Sequence, residues 1–212
     1  MNFWTIVPVK PLNRAKSRLA GILTPEQREA LSAEMFRNTL DTLNKVQGLR
    51  GVLVISRDPK ALALARGRGV QTVMEAGAPE LNASLTRATQ VVMAWNAIGV
   101  LVVPSDIPFL RAEDIEAMIN LAISDLNCAV IAPDRRREGT NVLLLRPPHL
   151  IPYQYGRNSF ALHAQAARQV GAAVHVYESD MLALDIDVPQ DLELYRTLQT
   201  QLSRNAPASV GL

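Results

Sequence analysis

Short apolar runs alternate with longer segments of helical periodicity along almost the whole chain. The runs are rich in β-branched residues and apolar on both faces, which is typical of strands in a parallel sheet covered by helices on two sides. They predict strands at Phe3–Val9, Gly51–Ser56, Val70–Met74, Gly99–Val103, Cys128–Ala132, Asn141–Leu145 and Ala173–Tyr177. The segments between them predict helices at Pro25–Val46, Pro59–Arg66, Pro79–Trp95, Ala112–Ser124, Ser159–Val170 and Pro189–Leu202.

This alternation predicts one α/β domain, with a doubly wound, mostly parallel sheet and helices on both faces. We expect the domain to cover residues 1–204 and residues 205–212 to form a frayed C-terminal tail. The first long helix has a clear start signal, with Thr24 as the cap, Pro25 in the first turn and Gln27 three residues after the cap. The less regular segment 134–152 is expected to form a hairpin or flap beside the site.

Composition narrows the function classes. The chain has 212 residues, a hydrophobic fraction of 48% and a net charge of +2, which is too small to indicate a nucleic-acid partner. No apolar run reaches membrane-spanning length, and the N-terminus does not have the pattern of a signal peptide. The single cysteine, Cys128, lies in an apolar run, which excludes a thiolate metal cluster. We therefore expect a cytoplasmic enzyme that acts on neither nucleic acid nor membrane.

A basic loop follows the first predicted strand. Its cations, Lys10, Arg14, Lys16 and Arg18, fall within nine residues. In open α/β sheets, ligands bind beyond the carboxyl ends of the strands, and a triphosphate requires cations there. The loop is neither a Walker loop nor a Gly-x-Gly-x-x-Gly fingerprint, which argues against ordinary kinases and dehydrogenases. A solvated basic loop is the alternative interpretation.

Two acidic segments follow later strands. Asp106 comes after the fourth strand, between Pro104 and Pro108. Asp185 and Asp187 lie two residues apart, so an extended segment places them on one face. Mg²⁺ prefers oxygen ligands and commonly takes one or two carboxylates together with substrate phosphates. The same aspartates are also compatible with turns and helix caps.

Two polar segments remain. Thr140 enters a strand just after an arginine cluster that begins at Arg135. Gly156 precedes a helix that begins at about Ser159, and free amides at a helix N-terminus favour anions. His163 lies one turn further along and is compatible with a packed or solvated histidine as well as with a catalytic one.

These segments form six motifs in order: VPVK…AKSRL (7–19), LNASL (81–85), PSDIP (104–108), GTNVL (139–143), GxxSFxxH (156–163) and DIDVPxDL (185–192). Together they resemble the 2-phospho-L-lactate guanylyltransferases, also known as phosphoenolpyruvate guanylyltransferases, of deazaflavin coenzyme (F-four-twenty) biosynthesis. The resemblance covers about residues 3–200. The family belongs to the molybdenum-cofactor-like and sugar nucleotidyltransferases, and like its members this chain lacks the Gly-rich first loop of that class.

The resemblance implies roles at matching positions. It implies that GTP phosphates contact Lys10, Lys16 and Arg18, with Asn82 and Ser84 near the guanine or ribose. It implies Mg²⁺ bound by Asp106 and Asp187, with Asp185 as the alternative second ligand, and places Lys16, Asp106 and Asp187 at the reaction itself. Thr140, Gly156 and Ser159 are the implied contacts for the acceptor, a small phosphorylated three-carbon acid. The resemblance is also compatible with a homodimer.

Three other readings stay open on the residues alone. The same fold accommodates a transferase for another nucleotide and acceptor. The Asp-x-Asp pair at Asp185 also occurs in nucleotide-sugar glycosyltransferases, and a nucleotide-binding regulator without turnover is a third reading. Among acceptors, 2-phospholactate, phosphoenolpyruvate and 3-phosphoglycerate are equally compatible with the sequence, because small changes in a pocket decide such preferences.

Overall fold

A computed structural model describes the backbone of residues 2–76 and 80–205, with side chains up to residue 202. Its strands are β1 (Phe3–Val9), β2 (Leu49–Ser56), β3 (Gln71–Met74), β4 (Gly99–Val102), β5 (Cys128–Pro133), β6 (Thr140–Arg146) and β7 (Ala173–Val176). Its α-helices are α1 (Pro25–Leu43), α2 (Pro59–Arg66), α3 (Leu81–Ala94), α4 (Ala112–Ile123), α5 (Ser159–Gln169) and α6 (Pro189–Asn205). The predicted helix start at Pro79 and residues 206–212 of the predicted tail lie outside the described residues, and Asn205 ends α6.

The strands form one sheet in the order β3-β2-β1-β4-β6-β5-β7. All neighbouring pairs are parallel except those of β6, which runs antiparallel to both β4 and β5. The reversal has a local cause, because the short connection from β5 to β6 allows only a hairpin, whereas a parallel partner requires a long crossover. The mostly parallel, doubly wound α/β sheet predicted from the sequence is confirmed. Segment 134–152 does not form a hairpin by itself, because it supplies only the turn and the second strand, β6, of a hairpin whose first strand is β5.

Helices cover both faces of the sheet. One apolar layer joins the sheet to α1, α2 and α4, and the other joins it to α3 and α5. A third cluster packs Leu19, Met35, Ile186 and Leu192 together, and so connects the loop after β1 with α1 and with the start of α6. Among the described helices, none combines the length and the apolar character needed to cross a membrane.

The start of α1 shows how local sequence sets an element. Thr24 accepts a hydrogen bond from the backbone amide of Gln27, and the Gln27 side chain accepts one from the amide of Thr24. This reciprocal arrangement is the predicted capping box, with Pro25 in the first turn. It fixes where the basic loop ends and α1 begins.

Candidate active site

A cavity of about 520 Å³ opens beyond the carboxyl ends of β1 and β4, where the strand order reverses. Its size is within the range of small-molecule sites, about 300–1,000 Å³. Residues from separate parts of the chain line it, including Lys10, Arg14, Lys16, Arg57, Glu75, Glu80, Ser84, Asp106, Thr140, Asn141, Tyr155, Asp185 and Asp187.

The loop after β1 is fastened to the end of β2. The amide of Leu12 donates to Asp58 Oδ2 at 2.9 Å, and the Ser56 hydroxyl donates to the carbonyl of Val9 at 2.8 Å. Lys16 adopts the left-handed conformation with φ 56°, which is uncommon for a residue with a side chain and is concentrated at functional sites. These contacts hold the basic loop over the cavity.

Lys16 and Asp106 meet across the cavity floor. Lys16 Nζ lies 2.8 Å from Asp106 Oδ2, and the lysine side chain is only 5% exposed while that of Asp106 is 36% exposed. The strands β1 and β4 are neighbours, so the residues that follow them converge, as the sequence predicts. A buried ammonium that contacts a half-exposed carboxylate is a charge pair that an anionic ligand can reach.

The acidic segment before α6 is extended, and its burial alternates. Leu184 and Ile186 are buried, whereas Asp185 and Asp187 both line the cavity, so the predicted common face is confirmed. The amide of Ile186 donates to the carbonyl of Asp106 at 3.4 Å, which joins the two acidic segments through the backbone.

The neighbouring charges hold this segment in place. Arg18 forms an ion pair with Asp187, although Arg18 is mostly exposed and does not belong to the cavity lining given above. The carboxylate of Asp191 accepts hydrogen bonds from the amides of Asp187 and Val188 at 3.0 and 2.8 Å. Asp191, in the first turn of α6, therefore fixes the backbone that carries Asp187.

Burial and the neighbouring acidic groups shift the pKa of the Asp185 carboxyl. Burial, followed by the nearby Asp106 carboxylate, raises its pKa to about 6, even though a backbone hydrogen bond and Lys16 act in the opposite direction. An acidic group in this environment is stabilised in its charged form by an added cation. Asp106, Asp185 and Asp187 therefore offer the hard oxygen donors that a divalent cation prefers.

A complete protein cage for a metal is not present in the described part of the chain, because no group of three or more His, Cys, Asp and Glu side chains there has suitable spacing. Mg²⁺ seldom requires such a cage, since it dehydrates reluctantly and shares its coordination with waters and substrate phosphates. The donor set fits an ion that arrives with a nucleotide.

At the other end of the cavity, the predicted acceptor residues of β6 and α5 come together. The Thr140 amide donates to Ser159 Oγ at 2.9 Å, and Thr140 Oγ1 lies 3.0 Å from Nδ1 of His163. Gly156 takes φ 132°, a conformation that suits glycine, in the turn before α5. Thr140 lines the cavity, while Ser159 is buried directly behind it.

The start of α5 differs from expectation. The amides around Gly156–Ser159 were expected to be free for an anion, but the Ser159 amide donates to the carbonyl of Gly156, and the adjacent Phe160 amide donates to the carbonyl of Glu138. The hairpin between β5 and β6 packs against the start of α5 and uses these donors. These two amides are therefore not free for a ligand, and Thr140 is the residue of this group that lines the cavity.

Asn82 was expected near the guanine or ribose, and the structure gives it another role. Its side chain donates to the carbonyl of Tyr155 at 3.2 Å and accepts from the amide of Tyr155 at 2.8 Å. Because the backbone of Tyr155 occupies both ends of the amide, Asn82 ties α3 to the segment before α5. Ser84 does line the cavity, where its hydroxyl contacts the Glu75 carboxylate and the Glu80 carbonyl.

Arg57 and Glu75 line the cavity but were not singled out from the sequence. Arg57 Nε donates to Glu75 Oε2 at 3.1 Å, and the Glu75 side chain is 13% exposed. Arg57 follows β2 and Glu75 follows β3, so the rule that identified Lys10 and Asp106 would also have found them. The signal was their position after a strand, not a motif.

A tight turn connects β5 to β6 and positions Thr140. Asp134 Oδ1 accepts hydrogen bonds from the amides of Arg136 and Glu138 at 3.1 and 2.9 Å. Gly139 packs so closely that a Cβ there would lie 2.8 Å from Asp134 Oδ2. The carbonyl of Glu138 then accepts from the amide of Phe160, which connects the turn to α5.

Several solved structures have the same fold as this chain. A putative nucleotide-diphospho-sugar transferase from Desulfovibrio desulfuricans superimposes with TM-score 0.76 at 17% identity, over 97% of this chain and 91% of that one. A CMP:2-keto-3-deoxy-manno-octonic acid synthetase complexed with CTP gives TM-score 0.66 at 16% identity, over 95% of this chain and 100% of that one. These likenesses show the fold, and relatives in sequence show that this chain is a nucleotidyltransferase.

The particular family follows from sequence. The chain belongs to the CofC-like guanylyl transferase family, whose model matches residues 3–198. It is 41% identical to a phosphoenolpyruvate guanylyltransferase of Rubrobacter xylanophilus, over 91% of this chain and 92% of the relative. It is 35% identical to a 2-phospho-L-lactate guanylyltransferase of Methanocaldococcus infernus, over 89% of this chain and 82% of the relative. The resemblance seen in the motifs is thereby confirmed.

Proposed function

We propose that this protein transfers GMP from GTP to the phosphate of a small three-carbon acid, phosphoenolpyruvate or 2-phospholactate, in deazaflavin coenzyme biosynthesis. The observation that carries the proposal is the convergence of Lys10, Arg14 and Lys16 with Asp106 and Asp187 on one cavity at the switch point of the sheet. The relatives' names support the choice of nucleotide and acceptor.

The reaction requires no protein nucleophile. An acceptor phosphate oxygen attacks the α-phosphorus of GTP, the bond from that phosphorus to the β-bridging oxygen breaks, and pyrophosphate leaves with the electron pair. Positioning and neutralisation of charge supply most of the catalysis in such transfers. Lys10, Arg14 and Lys16 bind the triphosphate, and Lys16 neutralises charge next to Asp106.

Asp106 and Asp187 hold Mg²⁺, with Asp185 as the alternative second ligand. When bound, the ion supplies Lewis-acid stabilisation of phosphate charge. The ion pairs of Lys16 with Asp106 and of Arg18 with Asp187 keep these carboxylates in position before the substrates bind. In this proposal, Lys16 and Arg18 give up part of their contact with the two carboxylates when they bind the phosphates of GTP.

Glu75 recognises the guanine base. A carboxylate accepts hydrogen bonds from the N1–H and the amino group of guanine, a pair of donors that adenine, cytosine and uracil do not present on one edge. Arg57 and Ser84 hold the Glu75 side chain in place at the end of the cavity formed by β2, β3 and α3. We expect Glu75→Gln to lower kcat/KM for GTP about tenfold while the residual rate with ATP changes little. Equal losses for both nucleotides would contradict this placement.

A pyrophosphate-release assay with four nucleoside triphosphates and three acids tests the function as a whole. Release should require GTP together with phosphoenolpyruvate or 2-phospho-L-lactate, and 3-phosphoglycerate serves as the third acid. Release with CTP or UTP instead would favour another transferase of this fold. No release with any pair would favour the regulator, and a glycosyltransferase would use a preformed nucleotide sugar.

A further inference from the structure

A buried histidine lies directly behind Thr140. His163 on α5 has no exposed surface, and its two ring nitrogens have different partners. Nε2 accepts a hydrogen bond from the amide of Gln154 at 2.9 Å, and Nδ1 lies 3.0 Å from Thr140 Oγ1. A backbone amide can only donate, so Nε2 carries no proton. The single proton of the neutral ring is therefore on Nδ1.

This tautomer fixes the direction of the next hydrogen bond. Nδ1–H donates to Thr140 Oγ1, so the hydroxyl proton of Thr140 cannot point back at the histidine. Thr140 lines the cavity, and no other hydrogen bond of Oγ1 is made within the described part of the chain. Burial lowers the pKa of His163 to about 4, which keeps the ring neutral and the arrangement intact near pH 7.

The neighbouring hydroxyl is constrained in the same sense. Ser159 Oγ accepts from the amide of Thr140, so it also has its own proton left to donate. The oxygen of each hydroxyl thus already accepts one hydrogen bond from the protein and keeps its own proton. Because Thr140 lines the cavity, its hydroxyl proton is the one that a ligand there can accept, which suits an oxyanion.

We propose that His163 is a positioning residue that orients the Thr140 hydroxyl as a donor to an anionic oxygen of the acceptor acid. This rests on the proposed position of the acceptor at Thr140. The histidine does not touch the acid, and it acts only through the hydroxyl. Its contribution is to orient and polarise one donor before the acid binds, which lowers the cost of ordering that donor on binding.

A double-mutant cycle tests the coupling. His163→Gln keeps an acceptor for the Gln154 amide but removes the donor to Thr140, and Thr140→Val removes the hydroxyl. At saturating GTP, we expect His163→Gln to raise KM for phosphoenolpyruvate about fivefold and Thr140→Val about tenfold, with KM for GTP nearly unchanged. The double variant should show no larger KM than Thr140→Val alone, because without the hydroxyl the histidine has nothing to orient.

Three controls separate a positioning role from a structural one. His163→Asn places an amide where Nδ1 lies and should restore most of the acid affinity, although it loses the contact to Gln154. His175→Gln, at a histidine that pairs with Asp125 outside the cavity, should leave both KM values unchanged. Thermal unfolding of each variant shows whether it is folded. Additive losses in the double variant would overturn the proposal.

Nitrogen-15 NMR of the imidazoles provides a readout that does not depend on turnover. Comparison with His163→Gln assigns the His163 signals, which should show a proton on Nδ1, a bare Nε2 and no protonation down to about pH 5.5. A proton on Nε2 would overturn the proposal whatever the reaction is. If Thr140→Val leaves the acid titration unchanged, the acceptor position fails and the proposal with it. If the wild type releases no pyrophosphate with any acid, the proposed function fails, and the NMR result alone then decides the orientation of the hydroxyl.

Discussion

The two ends of the cavity are stabilised by different interactions, ion pairs at one end and hydrogen bonds between uncharged groups at the other. At the end formed by the β1 loop, Asp106 and Asp187, formal charges pair with each other, and although Lys16 is buried, Asp106, Arg18 and Asp187 reach solvent. At the end formed by β6 and α5, the groups are uncharged, buried and joined by directional hydrogen bonds. Exposed charges can be rearranged by a ligand that brings its own, whereas a buried neutral network is set before binding. The comparison indicates one end built for neutralising charge and one built for recognising shape and donor pattern.

The largest effect should come from the charged end. Asp106→Asn keeps the shape of the side chain but removes a carboxylate that contacts Lys16 and is proposed to bind Mg²⁺. We expect kcat to fall on the order of 100-fold or more, because electrostatic groups at a reacting phosphate carry effects of that size. Initial rates at saturating substrates measure the loss, and circular dichroism checks the fold. Near-normal turnover in a folded variant would remove Asp106 from the metal site.

The loop after β1 should give the next largest effect. Lys16→Met keeps the buried stem and removes the ammonium, so the GTP phosphates lose a cation. We expect kcat/KM for GTP to fall about 30-fold, because kcat falls and KM rises. Lys10→Met should act in the same direction. Lys60→Met is the matched control, since that lysine pairs with Glu29 at the surface. If the Lys16 and Lys10 variants both matched the control, the triphosphate would have to bind elsewhere.

At the neutral end, the effect should be smaller and confined to one substrate. Thr140→Val combined with Ser159→Ala removes two hydroxyl donors, so the acid should bind at least about tenfold more weakly while GTP binding is nearly intact. Titration of the acid at saturating GTP, followed by titration of GTP alone, separates the two. A loss confined to GTP would move the acceptor, with the arginine segment at Arg135 as the next candidate.

The smallest effect concerns stability. The pKa of His163 is lowered to about 4 by burial, below the unfolded value of about 6.5, so the unfolded chain binds the extra proton first as pH falls. The contribution of the neutral ring to the free energy of unfolding is therefore fully present above about pH 6.5. It is lost as the pH falls towards 4, and the loss is on the order of 2 kcal/mol at about pH 4.5. Urea unfolding of the wild type and of His163→Gln, at about pH 6.5 and about pH 4.5, should show this loss of stability only in the wild type. Parallel pH profiles for the two proteins would contradict it.

The sequence predicts the frame of the site well, for a physical reason. Strand ends are marked by apolar runs, and the residues that follow β1 and β4 must converge once the sheet is doubly wound. The meeting of Lys16 with Asp106, and the common face of Asp185 and Asp187, follow from that rule and from a period of two. The insertion of an antiparallel β6 between β4 and β5 does not follow, because the pairing of strands depends on contacts across the whole sheet.

The hydrogen-bond partners of individual polar groups could not be predicted from the sequence. Asn82 and the amides at the start of α5 read as ligand contacts, yet tertiary neighbours at Tyr155 and Glu138 use them. A polar group is assigned to a ligand only after every protein partner is known, and those partners are distant in sequence. His163 shows the converse, because its importance lies in which of its nitrogens is bonded to which partner.

The turn at Gly139 affects which positions outside the cavity can be substituted without loss of function. The Asp134 side chain is held by two amides, so it cannot move away from a Cβ added at Gly139, and the same turn carries Glu138 to α5. A substitution there would shift Thr140 without touching any proposed substrate contact. In a mutational survey, an outer hairpin position would therefore behave like an active-site residue. Lineages of this protein should tolerate change at Arg135 and Arg136, in the same turn, sooner than at Gly139.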